Sequence, residues 1–376
     1  MESLKWHQVN AWRLSQHCLS PRLKRQDFIE AVTRIGGVQA QVTSAAELAL
    51  WARVEGLTRE DVQAALWRDR TLVKTWAMRG TLHLIPAGEL PLYAAARSVY
   101  EARNWTRYFD YYGVSEAQLE AYLTAAPQVL GGEPMTRERF ASAVAEHTGV
   151  PELRGLVLSK GWGTPLKPLA WRGDLCFGPS QGQNVTFINP RKWVKWRSFD
   201  PHEALQEMAR RYLQAYGPAT PEGFARWWWG GAGVALSKKL FRSMEGELEA
   251  VDVEGWRAVA LSATLEQMQK MEKMSSVSLL PLFDAYTFGF GRGLEPVLSR
   301  AYEGVVFRPQ GWVSAVVLVD GCISGIWEYE ARASQVAVKV NMFSPLSAEI
   351  KEGVEAEAER LGAFLGARAA LEYKEG

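Results

Sequence analysis

The hydrophobic period of this chain switches from helical to alternating three times, each time after a run of helices. Residues 6–18 set Val9, Trp12 and Leu14 near helical spacing, and Pro21 breaks the run. Residues 26–35 form a second helix that Gly36-Gly37 stop. A third, amphipathic helix carries Ala46, Leu48, Leu50 and Trp51, and Thr58 caps a fourth that reaches Trp67. Residues 72–85 then alternate, with Arg79-Gly80 as the turn of a β-hairpin. Helices followed by a hairpin is the order of a winged helix, a helix-turn-helix with a β wing. The order returns from Thr136, through a helix over residues 152–171 that Pro165 and Pro168 must bend or split, to strands at 174–177 and 184–188. It returns again over residues 201–216, from Thr220-Pro221, near 235–244, and in strands at 248–253 and 256–261.

The remainder has a different pattern. Residues 304–309 and 311–319 read as β-rich runs, Asp320-Gly321 as a tight hairpin turn, residues 336–341 as a strand and 347–365 as a helix. The expected fold is α+β: tandem winged-helix units at 1–112, 113–198 and 199–265, then a β-rich C-terminal domain at 266–376.

Several classes of protein are excluded early. At 47% hydrophobic and 23% charged residues the composition is globular, not disordered. No stretch nears the roughly 18 apolar residues of a membrane span. Met1 to His7 lack the apolar run of a secretory signal. Cys18, Cys176 and Cys322 lie far apart without a CxxC, against a disulfide framework, a zinc ribbon or an iron–sulfur cluster. A cytoplasmic protein without metal or cofactor is expected, and a monomer. Charge is uneven: residues 1–200 hold 25 Lys and Arg against 19 Asp and Glu, and residues 201–376 hold 18 against 23. The N-terminal half is therefore the better home for a polyanion, unless the asymmetry is random. Trp227-Trp228-Trp229 reads as core more readily than as a base-stacking platform.

Other motifs fail on context. Gly178-Pro179-Ser180-Gln181-Gly182 matches GxSxG, but strands flank it on both sides, so it is a turn. His202-Glu203 begins like HExxH, but Gln206 stands where the second His belongs. The glycine-rich 289–293 has no helix start behind it to hold a phosphate.

The informative segment is Gly36-Gly37-Val38-Gln39-Ala40-Gln41-Val42. If the chain is extended here, Gln39 and Gln41 share one side and Ala40 packs opposite. Two neutral amides would then converge. The alternative is that both glutamines cap backbone groups at a helix start.

GVQAQ, followed by Thr75-Trp76-Ala77-Met78-Arg79-Gly80-Thr81-Leu82-His83-Leu84, resembles the AlkZ/YcaQ family of winged-helix DNA glycosylases. The segments Leu280-Pro281-Leu282-Phe283-Asp284-Ala285-Tyr286 and Asp320-Gly321-Cys322-Ile323-Ser324-Gly325-Ile326-Trp327 look like that family's C-terminal domain. The resemblance covers most of the chain. It implies that Gln39 and Gln41 are a catalytic Gln-x-Gln pair, as in the AlkZ-like branch; the other branch would carry Asp where Gln41 stands. It further implies double-stranded DNA with alkylated purines as the partner, a nucleoid-associated place in the cytoplasm, excision of N7-alkylguanine, and in some members unhooking of interstrand crosslinks.

The residue types fit that chemistry. Breaking a C1′–N bond passes through an oxocarbenium-like transition state, normally served by a carboxylate. A glutamine is no useful base. Its carbonyl oxygen accepts a hydrogen bond from water and offers partial negative charge to the developing cation. That suffices for a leaving group that is already cationic, such as N7-alkylguanine or N3-alkyladenine, and not for uracil. Arg79 is either a phosphate contact or an exposed turn cation, and His83 a DNA contact or a satisfied sheet histidine. Lys192, Lys195 and Arg197, interleaved with Trp193 and Trp196, either contact the DNA backbone or form a solvated linker. Asp284 reads either as an acid that holds structure in the C-terminal domain or as one that supports the site residues. The readings against a glycosylase are a non-enzymatic winged-helix DNA-binding protein, such as a transcriptional regulator, and a protein-interaction scaffold. The paired glutamines argue against the regulator, and near-zero net charge mildly favours the scaffold over nonspecific DNA binding.

Overall fold

The computed structural model describes residues 1–101, 112–159, 163–290, 293–332 and 334–374. The fold mixes helices with several small sheets and divides into two compact units. One combines Met1–Val62 with Ala209–Gly376, and the other is Gln63–Met208.

In the first unit, the strands Val277–Leu280, Val316–Val319, Cys322–Arg332, Gln335–Met342 and Arg368–Tyr373 form one sheet in that order. The first four pair antiparallel, and the fifth returns parallel to its neighbour after the helix Ala348–Leu365. Ser347 caps that helix by accepting the Ile350 N–H. The Asp320-Gly321 turn has φ of 51° and 82°, the two positive values that a tight hairpin needs. Inward side chains of this sheet, Leu279, Val317, Val338 and Val340 among them, are buried with Val354 and Leu361 of the helix. A smaller sheet joins Glu2–Leu4, parallel, to the hairpin Leu248–Val253 and Trp256–Leu261. The strand at residues 2–4 has no signal in the periodicity.

In the second unit, Leu72–Trp76 pairs antiparallel with Leu82–Pro86 across the turn at Met78–Gly80. The strands Met135–Thr136, Asn184–Ile188 and Cys176–Gln181 make a second sheet. The helices Glu116–Val129, Arg137–Thr148 and Glu152–Leu158 and the short Lys167–Trp171 bury Tyr122, Phe140, Leu153, Leu169 and Phe187 in one core. The expected 152–171 helix is in pieces: Glu152–Leu158, then, after Gly163 at φ 72°, Thr164–Leu166 and Lys167–Trp171, with Pro165 and Pro168 in the first turns of the last two, where a missing backbone donor costs nothing.

Two expectations are corrected. The helix Thr43–Trp51 is not amphipathic: Ala45 to Trp51 are all buried, and its one acid, Glu47, is held by Arg59 at 3.4 Å. Residues 304–309 are not a strand. Glu303–Val306 is a short helix, leaving only an isolated bridge between Phe307 and Val313. Two adjacent valines raise strand propensity there, and tertiary context overrides it. The GxSxG match lies on a hairpin as expected, with Gly182 at φ 61° in its turn. Of the glycine-rich stretch, Gly291 and Arg292 lie outside the described residues.

Candidate functional site

The helix Phe28–Arg34 ends in a paired glycine cap. The Gly37 N–H donates to the Val32 carbonyl at 2.9 Å and the Gly36 N–H to Thr33 at 3.1 Å. Both glycines sit at positive φ, 71° and 99°. A Cβ on Gly36 would lie 2.6 Å from Cζ2 of Trp227, so space as well as backbone restricts this position to glycine. Trp227 belongs to the tryptophan triplet, which ends the helix Pro221–Trp229. Thr220 caps that helix by accepting the Gly223 N–H at 3.1 Å, and left-handed Gly230 stops it. All three tryptophans are buried. Trp227 packs on Tyr212 and Tyr216, and the Tyr216 hydroxyl donates to the Ile35 carbonyl at 2.8 Å. The aromatic run is thus the floor on which the glycine turn lies.

Beyond the turn, Val38–Gln39 is extended. Val38 and Ala40 are 1% and 0% exposed, Gln39 is 7% exposed, and Gln41 is exposed. The apolar residues of the segment are anchored in the core while Gln41 reaches the surface. The chain then enters the helix Thr43–Trp51. A cleft of about 320 Å³ starts one residue from Gln41. Its lining includes Val42, Ser44 and Leu48 on one side and Pro281, Leu282, Arg308, Trp327 and Tyr329 on the other. Three segments that the sequence singled out for family resemblance therefore converge within this unit.

Behind the helix lies a contact that sequence reading missed. Arg53 donates to both carboxylate oxygens of Asp284, each at 2.7 Å, and both side chains are fully buried. Arg53 also donates to the Ala49 carbonyl, and Asp284 accepts the Tyr286 N–H. Burial alone would pull the guanidinium's pKa down; the charge and hydrogen bonds of Asp284 outweigh it and hold it above the ordinary arginine value. Asp284 holds structure here, the first of the two roles the sequence left open, and its partner lies 231 positions away.

In the second unit, the hairpin turn brings Arg79 and His83 together. Arg79 holds a positive φ of 57°, and its Nη2 lies 3.1 Å from His83 Nε2. His83 Nδ1 lies 3.0 Å from the Thr81 carbonyl, which can only accept. The proton is therefore on Nδ1, and Nε2 accepts from Arg79. His83 is 1% exposed, with its pKa pushed down to about 3 by burial first and the Arg79 charge second. This is the geometry of a satisfied neutral histidine that orients a cation.

A pH dependence follows. A depressed histidine pKa stabilises the fold above the unfolded value near 6.5, and that contribution is lost as pH falls toward 3. Buried His17, held well below its ordinary value by burial and then by Arg53 and Arg13, adds its own slope in the same window. His83→Gln should therefore flatten unfolding free energy against pH between about pH 6 and 5 by up to ~1.4 kcal/mol per unit. Denaturant melts at the two pH values read it; an unchanged slope would mean the ring titrates freely.

Lys192, Lys195 and Arg197 are exposed, while Trp193 and Trp196 are half-buried, so cations and rings alternate between solvent and protein. Arg197 lies over Phe199 at 5.5 Å, and Arg191 over Trp196 at 3.6 Å. A cleft of about 290 Å³ is lined by Trp171, Arg172, Arg191, Trp196, Arg197 and Phe199 among others. Sequence reading missed the cations around Trp171. Arg97 stacks on that ring at 4.1 Å, and Lys167, its pKa lowered by burial and by Arg97, sits beside the Gly80 turn. Residues 151–200 hold eight Lys and Arg against three Asp and Glu, which could have signalled this. Among the described residues no group of three or more His, Cys, Asp or Glu could hold a metal ion, and no helix is long and apolar enough to cross a membrane.

Known proteins match this chain along most of its length. A family model described as DNA glycosylase AlkZ-like matches residues 32–364. A curated interstrand DNA cross-link repair glycosylase of Streptomyces sahachiroi is 37% identical over 338 residues, 86% of this chain and 87% of that protein. The solved structure of Streptomyces sahachiroi DNA glycosylase AlkZ superposes with a TM-score of 0.87 at 34% identity, covering 100% of both chains.

Proposed function

This chain belongs to the DNA glycosylase AlkZ-like family, and on that premise we propose that it hydrolyses the N-glycosidic bond of cationic N7-alkylguanine in duplex DNA. The observation that carries the reading is the Gln39-Ala40-Gln41 segment at the end of the strand Val38–Gln39, whose apolar residues Val38 and Ala40 are locked in the core and whose polar side chains are both amides. A carbonyl oxygen accepts from the attacking water and faces the developing cation. The glycosidic electron pair goes to N9 and neutralises the purine cation. Water oxygen bonds to C1′, and its proton is released to solvent. No lyase step is expected, because no lysine stands in the segment. N3-alkyladenine, cationic in the same way, is a second candidate lesion.

The relative's name supports interstrand crosslinks as a further substrate. Such a lesion is two N-alkylpurines sharing one tether, and the same hydrolysis on one of them unhooks it. Arg79, oriented by His83, and the exposed Lys192, Lys195 and Arg197 are the proposed phosphate contacts. We read residues 1–112, 113–198 and 199–265 as winged-helix units that present these groups, with 266–376 as an α+β C-terminal domain.

Single-turnover incubation with duplex holding one N7-methylguanine, in EDTA, tests the reading. Alkali-labile sites should appear at that base and none at uracil in the same context. Excision of uracil at a comparable rate would defeat the argument from amides, and no excision of either would defeat this substrate assignment.

A further inference from the structure

Few large hydrophobic side chains are exposed among the described residues, and two of them, Val305 and Trp312, lie on one short segment of the first unit. Trp312 is 42% exposed. It follows a turn in which Gln310 and Gly311 have φ of 60° and 78°, and Arg308 N–H donates to the Trp312 carbonyl at 2.8 Å across it. The ring leans on Phe283 at 5.1 Å. Phe283 itself holds φ 61°, a conformation that a bulky residue rarely adopts. Two strained non-glycine residues therefore fix an indole in solvent. Such strain persists only where the surroundings impose it, and it gathers at functional positions.

The location adds a second argument. Exposed Arg308, at the base of the same turn, lines the cleft whose opposite wall begins at Val42. Gln41 precedes that wall. The turn thus stands on the side of the unit where the proposed reaction occurs, and it presents an aromatic face beside a guanidinium. That pair suits a nucleobase next to a phosphate.

We propose that the Arg308–Trp312 turn is a DNA-positioning element, in which Trp312 stacks on a nucleobase at the lesion and Arg308 takes a neighbouring phosphate. The proposal rests on DNA being the substrate, not on which base is excised. Removing an alkylated base leaves a gap in the stack that a rigid indole can fill, as apolar wedges do in kinked duplexes.

The test uses the full chain and an uncleavable duplex with a tetrahydrofuran abasic site opposite 2-aminopurine. Binding is read by anisotropy over a range of KCl concentrations. Trp312→Ala should weaken affinity by about 5- to 100-fold without changing the salt slope. Trp312→Phe should recover most of that, and it should keep the 2-aminopurine fluorescence change that Trp312→Ala loses. Arg308→Ala should lower the slope of log affinity against log salt by about one. Affinity of Trp312→Ala within about twofold of wild type would overturn the proposal and leave the turn as a surface for protein contact. So would equal losses in both Trp312 variants with lowered melting temperatures, since the ring would then be holding the fold. Failure of the wild type to bind duplex would instead defeat the DNA reading as a whole, and this proposal with it.

Discussion

Replacing Gln39 or Gln41 with alanine is expected to slow single-turnover excision of N7-methylguanine by on the order of 10²–10³-fold, the usual effect of deleting one preorganised dipole at a developing charge. The affinity for the lesion duplex should stay near wild type, because neither amide is assigned to the phosphate backbone. That split separates catalysis from binding. The double variant should lose little beyond the worse single, because one water and one cation are served by both groups. Fully additive losses would show two independent contributions. A wild-type rate in either single variant removes that residue from the mechanism. Burial sharpens the expectation for Gln39, whose truncation at 7% exposure also leaves a small cavity, so its melting temperature must be measured alongside. Gln41 is exposed and provides the cleaner reading.

Much of this site is visible in local sequence because its causes are local. Gly36-Gly37 announces the end of a helix and a positive-φ turn, and the structure has both. Alternation over residues 72–85 announces the hairpin, and Thr136 and Thr220 mark helix starts that their side chains do cap. What stays hidden depends on distant partners. Nothing near Gly36 says that Trp227 lies 2.6 Å from where its Cβ would be. The neutral state of His83 follows from burial, which a single residue in an alternating strand cannot report. The burial of Ala45 to Trp51 on every side is similar: Glu47 interrupts that apolar run, and its contact with Arg59 makes the acid tolerable inside. The exposed Trp312 inverts the problem, since composition treats every tryptophan as core until the fold shows one that is not.

The Arg53–Asp284 pair is where distance in sequence and consequence in structure differ most. Asp284→Ala should destabilise the fold by about 3–5 kcal/mol, because it leaves a guanidinium buried without its counter-charge. That corresponds to a fall in melting temperature on the order of 10 °C for a unit of this size. Arg53→Ala should be similarly harmful, stranding the carboxylate. The paired replacement Arg53→Met with Asp284→Leu should recover most of the loss, since it removes both desolvation penalties together. A double variant no better than the singles would mean that the hydrogen bonds to the Ala49 carbonyl and the Tyr286 N–H, rather than the ion pair, hold this joint. The joint matters to the site because Arg53 lies just beyond the helix Thr43–Trp51, whose start follows Gln41. Melting of the singles should therefore carry excision down with it, and the repaired double variant should excise N7-methylguanine at near the wild-type rate. A stable double variant that has lost excision would place the pair in the reaction itself, which its complete burial argues against.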